Sequence, residues 1–319
     1  MTSTAFRAMG TNVYMEIPDA DVSDCVQSEI LETAVDEMAK LESLLTRFIA
    51  DSELNRLNNS AGRWTDIDPH LYKILQLAKD FFVKTRGLFN PCLGTIMNGL
   101  GYDVSFEHIT TNKNNPIFEI PYVAQMHCPF NLRMNENKCQ AFLEPGHRID
   151  LGGIAKGWIV QQVAAKMRSL GAKQFVCNAG GDLICSGCNG RRPWVIGITD
   201  PFDPKRNIIL LDIRNLSIAT SGTYKRTWNN QGKVVHHIID PFLGTPVESD
   251  IVSCSVVHKD LVTAEVQAKV ALLMGTDTAV PWLERQDCAG WVLVKQNRLV
   301  VKSCNLSTNN NVSHSSIRV

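Results

Sequence analysis

Asp150, Gly152, Gly153, Lys156 and Gly157 crowd into one short stretch, DLGGIAKG, that opens what reads as a helix. Glycines let backbone amides approach a ligand closely, a helix start supplies positive dipole, and Lys156 adds a mobile positive charge. Together these suit a phosphate. The stretch is neither a P-loop nor a dinucleotide fingerprint, because its GGxxxG spacing lacks both the GK(S/T) ending and the GxGxxG order. Taken alone, a tight strand-to-helix turn with a solvated lysine is the simpler account.

Other segments hold chemistry-bearing side chains at strand ends. NAGGD, from Asn178 to Asp182, offers a second glycine turn where main-chain amides can face a ligand, or an ordinary β-turn. ATSGTYKR (219–226) and HHIIDP (236–241) gather hydroxyl, phenol, imidazole and carboxylate groups, the types used in general acid/base catalysis. CSGC, from Cys185 to Cys188, has zinc-ligand spacing but no second pair, so a hairpin turn is favoured. Glu265 and Lys269 stand four apart on one helical face, where they can meet each other or a shared ligand.

Positioning these groups requires a framework that the pattern supplies. Residues Phe6 to Ile17 alternate as an edge strand, and from Asp21 apolar positions recur at helical spacing through Val22, Cys25, Val26, Ile30, Ala34, Met38, Leu41 and Leu45. A second helix is predicted from Asp68 to about Lys84, followed by a Gly-, Pro- and Asn-punctuated loop, GLFNPCLGTIMNGLGYD. Ser105 to His147 is irregular and polar and reads as short strands in a variable insertion. After the DLGGIAKG helix come strands QFVCNA and DLICSG, a hairpin return through RPWVIGIT, then IILLDI, LSIAT, VVHHIID and DIVSCSVV. A helix from Asp260 to Met274, a shorter one near Ala279 and two strands close the fold. The Ser- and Asn-rich residues 305–319 read as a disordered tail after one domain spanning 1–304.

Composition narrows the function classes. The chain has 319 residues, 44% of them hydrophobic, enough for a sizeable core. Its 32 Lys and Arg balance 32 Asp and Glu, so it lacks the basic field that neutralises nucleic-acid phosphates. No apolar run approaches membrane-spanning length, and the first residues lack a signal peptide's pattern, which together with ten unpatterned cysteines predicts a cytoplasmic protein without disulfides.

Read in order, AMGTNVYMEI, LTRFIADSELNRLN, GLFNPCLG, IDLGGIAKGW, NAGGDLICSG, WVIGITDP, ATSGTYKR, HHIIDPFLGTPV and TAEVQAKVALLMG resemble the ApbE family of FAD:protein FMN transferases. The blocks run in the family's order from about residue 7 to residue 275. The resemblance implies an α+β fold with mixed β-sheets covered by helices, two lobes and FAD in a central cleft. It also implies an enzyme that splits the FAD pyrophosphate, joins FMN through a phosphoester to a Thr or Ser hydroxyl of an acceptor flavoprotein, and releases AMP. By the same resemblance Gly152, Gly153 and Lys156 hold the pyrophosphate region, and Gly180, Gly181 and Asp182 line the FAD cleft. His237 assists deprotonation of the hydroxyl, and Asp240 orients or neutralises it. Ser221 and Tyr224 lie beside the cleft, and Glu53 and Asn90 border it.

Several positions depart from the family pattern. Where members carry an Asp, and four residues on a Thr, that help to bind Mg2+, this chain has Glu265 and Lys269. A glutamate oxygen is still a metal ligand; an ammonium is not, and it repels the cation. The resemblance thus leaves two readings open: Mg2+ held with Glu265 as a ligand, or a site in which Lys269 supplies the positive charge itself and little or no metal is needed. Leu243-Gly244 replaces the family's Thr-Gly, and Asn90 replaces a carboxylate. The chain contains no D-x-x-S/T-G-A-S/T acceptor motif, so the acceptor is expected to be a separate protein. Two alternatives share the same blocks: a flavin-binding carrier without transfer, and an FAD pyrophosphatase giving FMN and AMP.

Overall fold

The computed structural model describes residues 1–18, 23–109, 130–230, 232–304 and 317–318. The chain opens with strands β1 (Thr2–Ala8) and β2 (Thr11–Ile17) and helix α1 (Asp24–Leu45). The expected single edge strand is thus a hairpin. Met9 and Gly10, at φ 53° and 63°, form its two-residue turn, whose mirror-image geometry follows the strand twist. On α1 the residues Ile30, Ala34, Met38, Leu41 and Leu45 are buried, as the helical spacing predicts, whereas Cys25 and Val26 in its first turn, counted in the same spacing, are exposed.

Helix α2 (Glu53–Asn59), β3 (Trp64–Asp66), helices α3 (Pro69–Lys84) and α4 (Gly94–Gly99), and strands β4 (Leu132–Asn135) and β5 (Gln140–Leu143) follow in that order. Ser52 caps α2 by accepting the Asn55 amide at 3.0 Å, and Asp68 caps α3 with Pro69 in its first turn. The segment read as a loop contains α4, which is too short for periodicity to reveal, and the irregular stretch holds the β4–β5 hairpin, in line with the short strands expected there.

Helix α5 (Ala155–Ser169) leads into β6 (Phe175–Ala179), β7 (Asp182–Ser186), β8 (Trp194–Asp200), β9 (Asp203–Ile213) and β10 (Leu216–Gly222). The ribbon β11 (Thr227–Asn230) and β12 (Lys233–His236) follows, then β13 (Ile251–His258), α6 (Leu261–Met274), α7 (Thr276–Leu283), β14 (Gly290–Lys295) and β15 (Val300–Lys302). Most of the proposed disordered tail lies outside the described residues. Its Ile317–Arg318 forms β16, which pairs in parallel with β8.

Two compact units emerge. The first, Met1–Lys40, Lys156–Gly222 and Ser249–Val319, is built on an antiparallel eight-stranded sheet in the order β1-β2-β6-β7-β10-β13-β14-β15. Helix α6 packs on β10 and β13 of this sheet. RPWVIGIT was expected to return against DLICSG, but β8 pairs with β9 instead, in a separate three-stranded sheet. Their core joins Val176, Leu183, Ile218 and Val257 to Trp194, Ile196 and Leu211. The second unit, Leu41–Ala155 and Thr223–Glu248, holds the β3-β5-β4 sheet and a core in which Ile96, Met97 and Tyr102 meet Trp228, Val235 and Ile239. His237 was expected within a strand, but β12 ends one residue before it.

Candidate active site

In the first unit, the start of α5 meets the strand ends. The first-turn amides of a helix have no partner within it. Here the Gly157 amide donates to Glu265 Oε2 at 2.8 Å, joining α5 to α6. A Cβ on Gly157 would sit 2.7 Å from that same oxygen and 3.3 Å from the Leu261 carbonyl, so any larger residue must displace the Glu265 carboxylate and ease the two helices apart. Gln161, one turn on, fixes the register: its side chain donates to Asp260 at 2.9 Å and accepts the Leu261 amide at 3.0 Å.

That crossing aims Lys156 at the sheet. Its ammonium pairs with Asp182 Oδ2. Asp182, first residue of β7 and 1% exposed, uses its other oxygen to accept the Thr220 amide at 3.1 Å. Thr220 Oγ1 and Ser255 Oγ lie 2.7 Å apart across β10 and β13. The Gly180-Gly181 pair, at φ 64° and 107°, is a two-residue hairpin loop between β6 and β7. The expected Lys156, Gly180, Gly181 and Asp182 therefore meet around the β6–β7 turn, with Ser221 next in sequence to Thr220.

The second unit holds the remaining expected residues. Asp150 Oδ1 accepts the Gly152 amide at 2.6 Å, so that amide is already engaged by the chain, while Gly153 follows in the same turn. Asn58 clamps the backbone just before it, accepting the Ile149 amide at 2.7 Å and donating to the Ile149 carbonyl at 3.0 Å. Glu53 serves α2, pairing with Arg56 at 2.6 Å and accepting the Asp68 amide at 3.3 Å. Asn90 is buried and accepts the Cys92 amide at 2.8 Å. Asp240 Oδ1 accepts the amides of Phe242 and Leu243 at 2.8 and 3.0 Å, holding its own turn. His237 is half-buried three residues before it, and the Tyr224 ring lies 5.8 Å from the Lys225 ammonium. The neighbouring His236 is a structural residue: it lies 3.2 Å from the Val247 carbonyl, and burial lowers its pKa.

The family model for the ApbE family matches residues 9–292. The chain belongs to the ApbE family. It is 27% identical over 305 residues to an FAD:protein FMN transferase of Klebsiella pneumoniae, covering 92% of this chain and 89% of that protein. It is 26% identical over 276 residues to one of Treponema pallidum, covering 82% and 75%. The ApbE protein of Thermotoga maritima superposes with a TM-score of 0.85 at 24% identity over 95% of this chain and 97% of that one. The flavinyl transferase ApbE of Pseudomonas stutzeri gives 0.76 at 18% identity, over 96% and 94%. At these identities the structural likeness establishes an ApbE fold.

Against this ApbE frame, the late-helix substitutions show what the local donors suit. Glu265 Oε2 already accepts the Gly157 amide, Asp182 divides its oxygens between Lys156 and the Thr220 amide, and Lys269 stands one turn beyond Glu265. Among the described residues, no group of three His, Cys, Asp or Glu side chains could hold a metal ion. Mg2+ takes near-octahedral oxygen ligands, and three of the four carboxylate oxygens of Glu265 and Asp182 are engaged by ammonium or amide hydrogens. CSGC forms no metal group either; Cys185 is buried, and burial pushes its thiol pKa well up.

Glu265 carries the strongest electrostatic signature of the cluster. Burial, then repulsion from Asp182, pushes its pKa from 4.5 up to about 7, against the opposing pull of Lys156, the Gly157 amide and Lys269. A carboxyl that binds its proton more tightly when folded contributes stability at pH 4.5 and below, and this contribution is lost as pH rises towards 7. Glu265→Gln keeps an acceptor for Gly157 and removes the titration. In EDTA its melting temperature should match the parent's near pH 4.5 and exceed it by roughly 2–6 °C at pH 8. A parent that gains stability relative to the variant on going to pH 8 would reverse this assignment.

Arg47, Asn58, Thr220 and Ser255 were not singled out individually from sequence. The first two fall inside the LTRFIADSELNRLN block, whose resemblance to the family is their only signal in the sequence.

Proposed function

We propose that this protein is an FAD:protein FMN transferase, moving FMN from FAD to a Thr or Ser hydroxyl of an acceptor flavoprotein. The observation that carries the reading is the family match over residues 9–292, supported by curated relatives that bear this activity in their names. In the proposed reaction the acceptor oxygen attacks the FMN phosphorus, the P–O bond to the bridging oxygen breaks, and AMP leaves with that oxygen. The hydroxyl proton passes to His237, with Asp240 as its proposed partner. Lys156 compensates charge on the phosphate oxygens, the largest service a protein supplies to phosphoryl transfer. Asp182 holds the lysine. Glu53, Asn90, Gly152, Gly153, Gly180, Gly181, Ser221 and Tyr224 are the proposed flavin-nucleotide contacts.

The deciding test is mass spectrometry of a D-x-x-S/T-G-A-S/T acceptor incubated with the protein and FAD, with AMP followed in parallel. One FMN gained per acceptor together with AMP supports transfer. AMP without acceptor labelling would make the protein a pyrophosphatase, and FAD binding without either product would make it a carrier.

Lys269 standing where the family places a second Mg2+ ligand supports a reaction that needs no divalent cation. The parent should retain most of its rate in EDTA. Lys269→Thr should lose about tenfold or more in EDTA, as a charge stabiliser of the transferred phosphate is removed, and recover on adding Mg2+. A variant with the parent's metal response would remove Lys269 from this role.

A further inference from the structure

In the second unit, Arg47 follows α1 and its side chain is only 8% exposed. Its Nε donates to Asp150 Oδ2 at 2.8 Å and its Nη1 to Asn98 Oδ1 at 3.1 Å. The guanidinium lies 4.4 Å from the Phe48 ring and 4.7 Å from that of Tyr102, and Asn55 secures the Arg47 carbonyl at 2.8 Å. Two of its three nitrogens and both nearby rings therefore hold the side chain in place.

One donor breaks the pattern: Nη2 is buried without a hydrogen-bond partner. Arg and Asp commonly pair through two parallel hydrogen bonds, which would use Nη2 and the second carboxylate oxygen. That second oxygen, Oδ1, faces the Gly152 amide at 2.6 Å instead. The Asp150 amide donates to the Pro91 carbonyl at 2.8 Å, which anchors the backbone from which this carboxylate extends. A buried unmatched donor is unfavourable, and each instance calls for a cause. The cause here is that Asp150 holds the glycine turn in preference to closing the second bond.

We infer that Arg47 is a positioning residue: through Asp150 it fixes the Gly152 amide and so the turn that leads into Lys156. This rests on the transferase reading for its kinetic consequence, but the fixing of the turn is separately measurable. Hydrogen exchange of the 149–157 peptide is compared among the parent, Arg47→Lys, Arg47→Met, Asp150→Asn and the Arg47→Met/Asp150→Asn double variant. Steady-state transfer from FAD to the motif-bearing acceptor is measured on the same proteins.

Arg47→Met and Asp150→Asn should each speed exchange in that peptide about tenfold while exchange in β13 stays unchanged. Each should lower kcat about tenfold or more, with KM for FAD within threefold, because geometry rather than binding is lost. The double variant should be no worse than the poorer single, since both act through one contact. Arg47→Lys, which keeps the charge but not the fork, should recover part of both losses. Should Arg47→Met prove too unstable, the double variant, which leaves no buried charge unpaired, carries the comparison. Unchanged exchange in the turn, or additive losses in the double variant, would overturn the inference. Loosened exchange in the variants of a parent with no transfer would keep the positioning role and discard the transferase reading.

Discussion

Lys156→Ala should lower kcat for FMN transfer by about 10²- to 10³-fold, the range seen when one electrostatic stabiliser of a transition state is removed. The same substitution strands Asp182, 1% exposed and tied to the Thr220 amide, without its counter-charge. An uncompensated buried carboxylate costs about 3–5 kcal/mol, so the variant should also melt well below the parent. Stability and catalysis are separable by a second change. Lys156→Met/Asp182→Asn removes both charges and fills the lysine's space with an unbranched apolar chain, which should restore most of the stability. Transfer should remain as slow as in the single variant, because the cation is still missing. A double variant that regains both would make the Lys156–Asp182 pair purely structural. A Lys156→Ala protein as active as the parent would remove the phosphate role of DLGGIAKG altogether.

What the sequence made legible depended on how local each signal was. Helices α1 and α3 announced themselves through buried residues recurring over several turns, and Asp68-Pro69 marked a start that the structure caps as expected. Strand β1 did not, because its residues alternate between exposed and half-buried and so present no fully buried face to read. The separation of β8 from β7 depends on which apolar surface each strand covers. The Trp194 side chain, buried against both sheets' residues, records that choice only in three dimensions. At the candidate site the motif residues were readable and their partners were not. Asp182 and Lys156 were named from separate blocks, yet nothing local placed one against the other across 26 residues. Glu265 reads from the sequence as a partner of Lys269 on one helical face. Its burial and its bond to Gly157 follow from the crossing of α5 and α6, and α6 is apolar on nearly every side, so no stripe reveals which face meets which neighbour.

The Gly180 turn offers the sharpest structural test, because two effects of a methyl group can be told apart there. At φ 64°, Gly180→Ala incurs the left-handed penalty of about 1–2 kcal/mol. Its Cβ would also lie 2.0 Å from Thr11 Oγ1, 2.9 Å from Thr11 Cβ and 3.0 Å from Thr11 Cγ2, distances that β2 and β6 must part to relieve. Gly190 shares the φ of 64°, yet nothing lies within 4 Å of the Cβ it lacks. Gly190→Ala therefore measures the conformational penalty alone, a fall in melting temperature of a few degrees. Gly180→Ala should fall at least twice as far, and it should slow transfer as well, since Ala179 pairs with Asp182 across the turn and any displacement passes to the lysine's partner. Thr11→Gly removes all three crowding atoms, so Gly180→Ala/Thr11→Gly should melt above Gly180→Ala even though glycine within a strand is itself unfavourable by roughly 0.5–1 kcal/mol. Equal losses for Gly180→Ala and Gly190→Ala would mean that the sheet yields at this corner without penalty, and that the glycine is required only for its backbone angle.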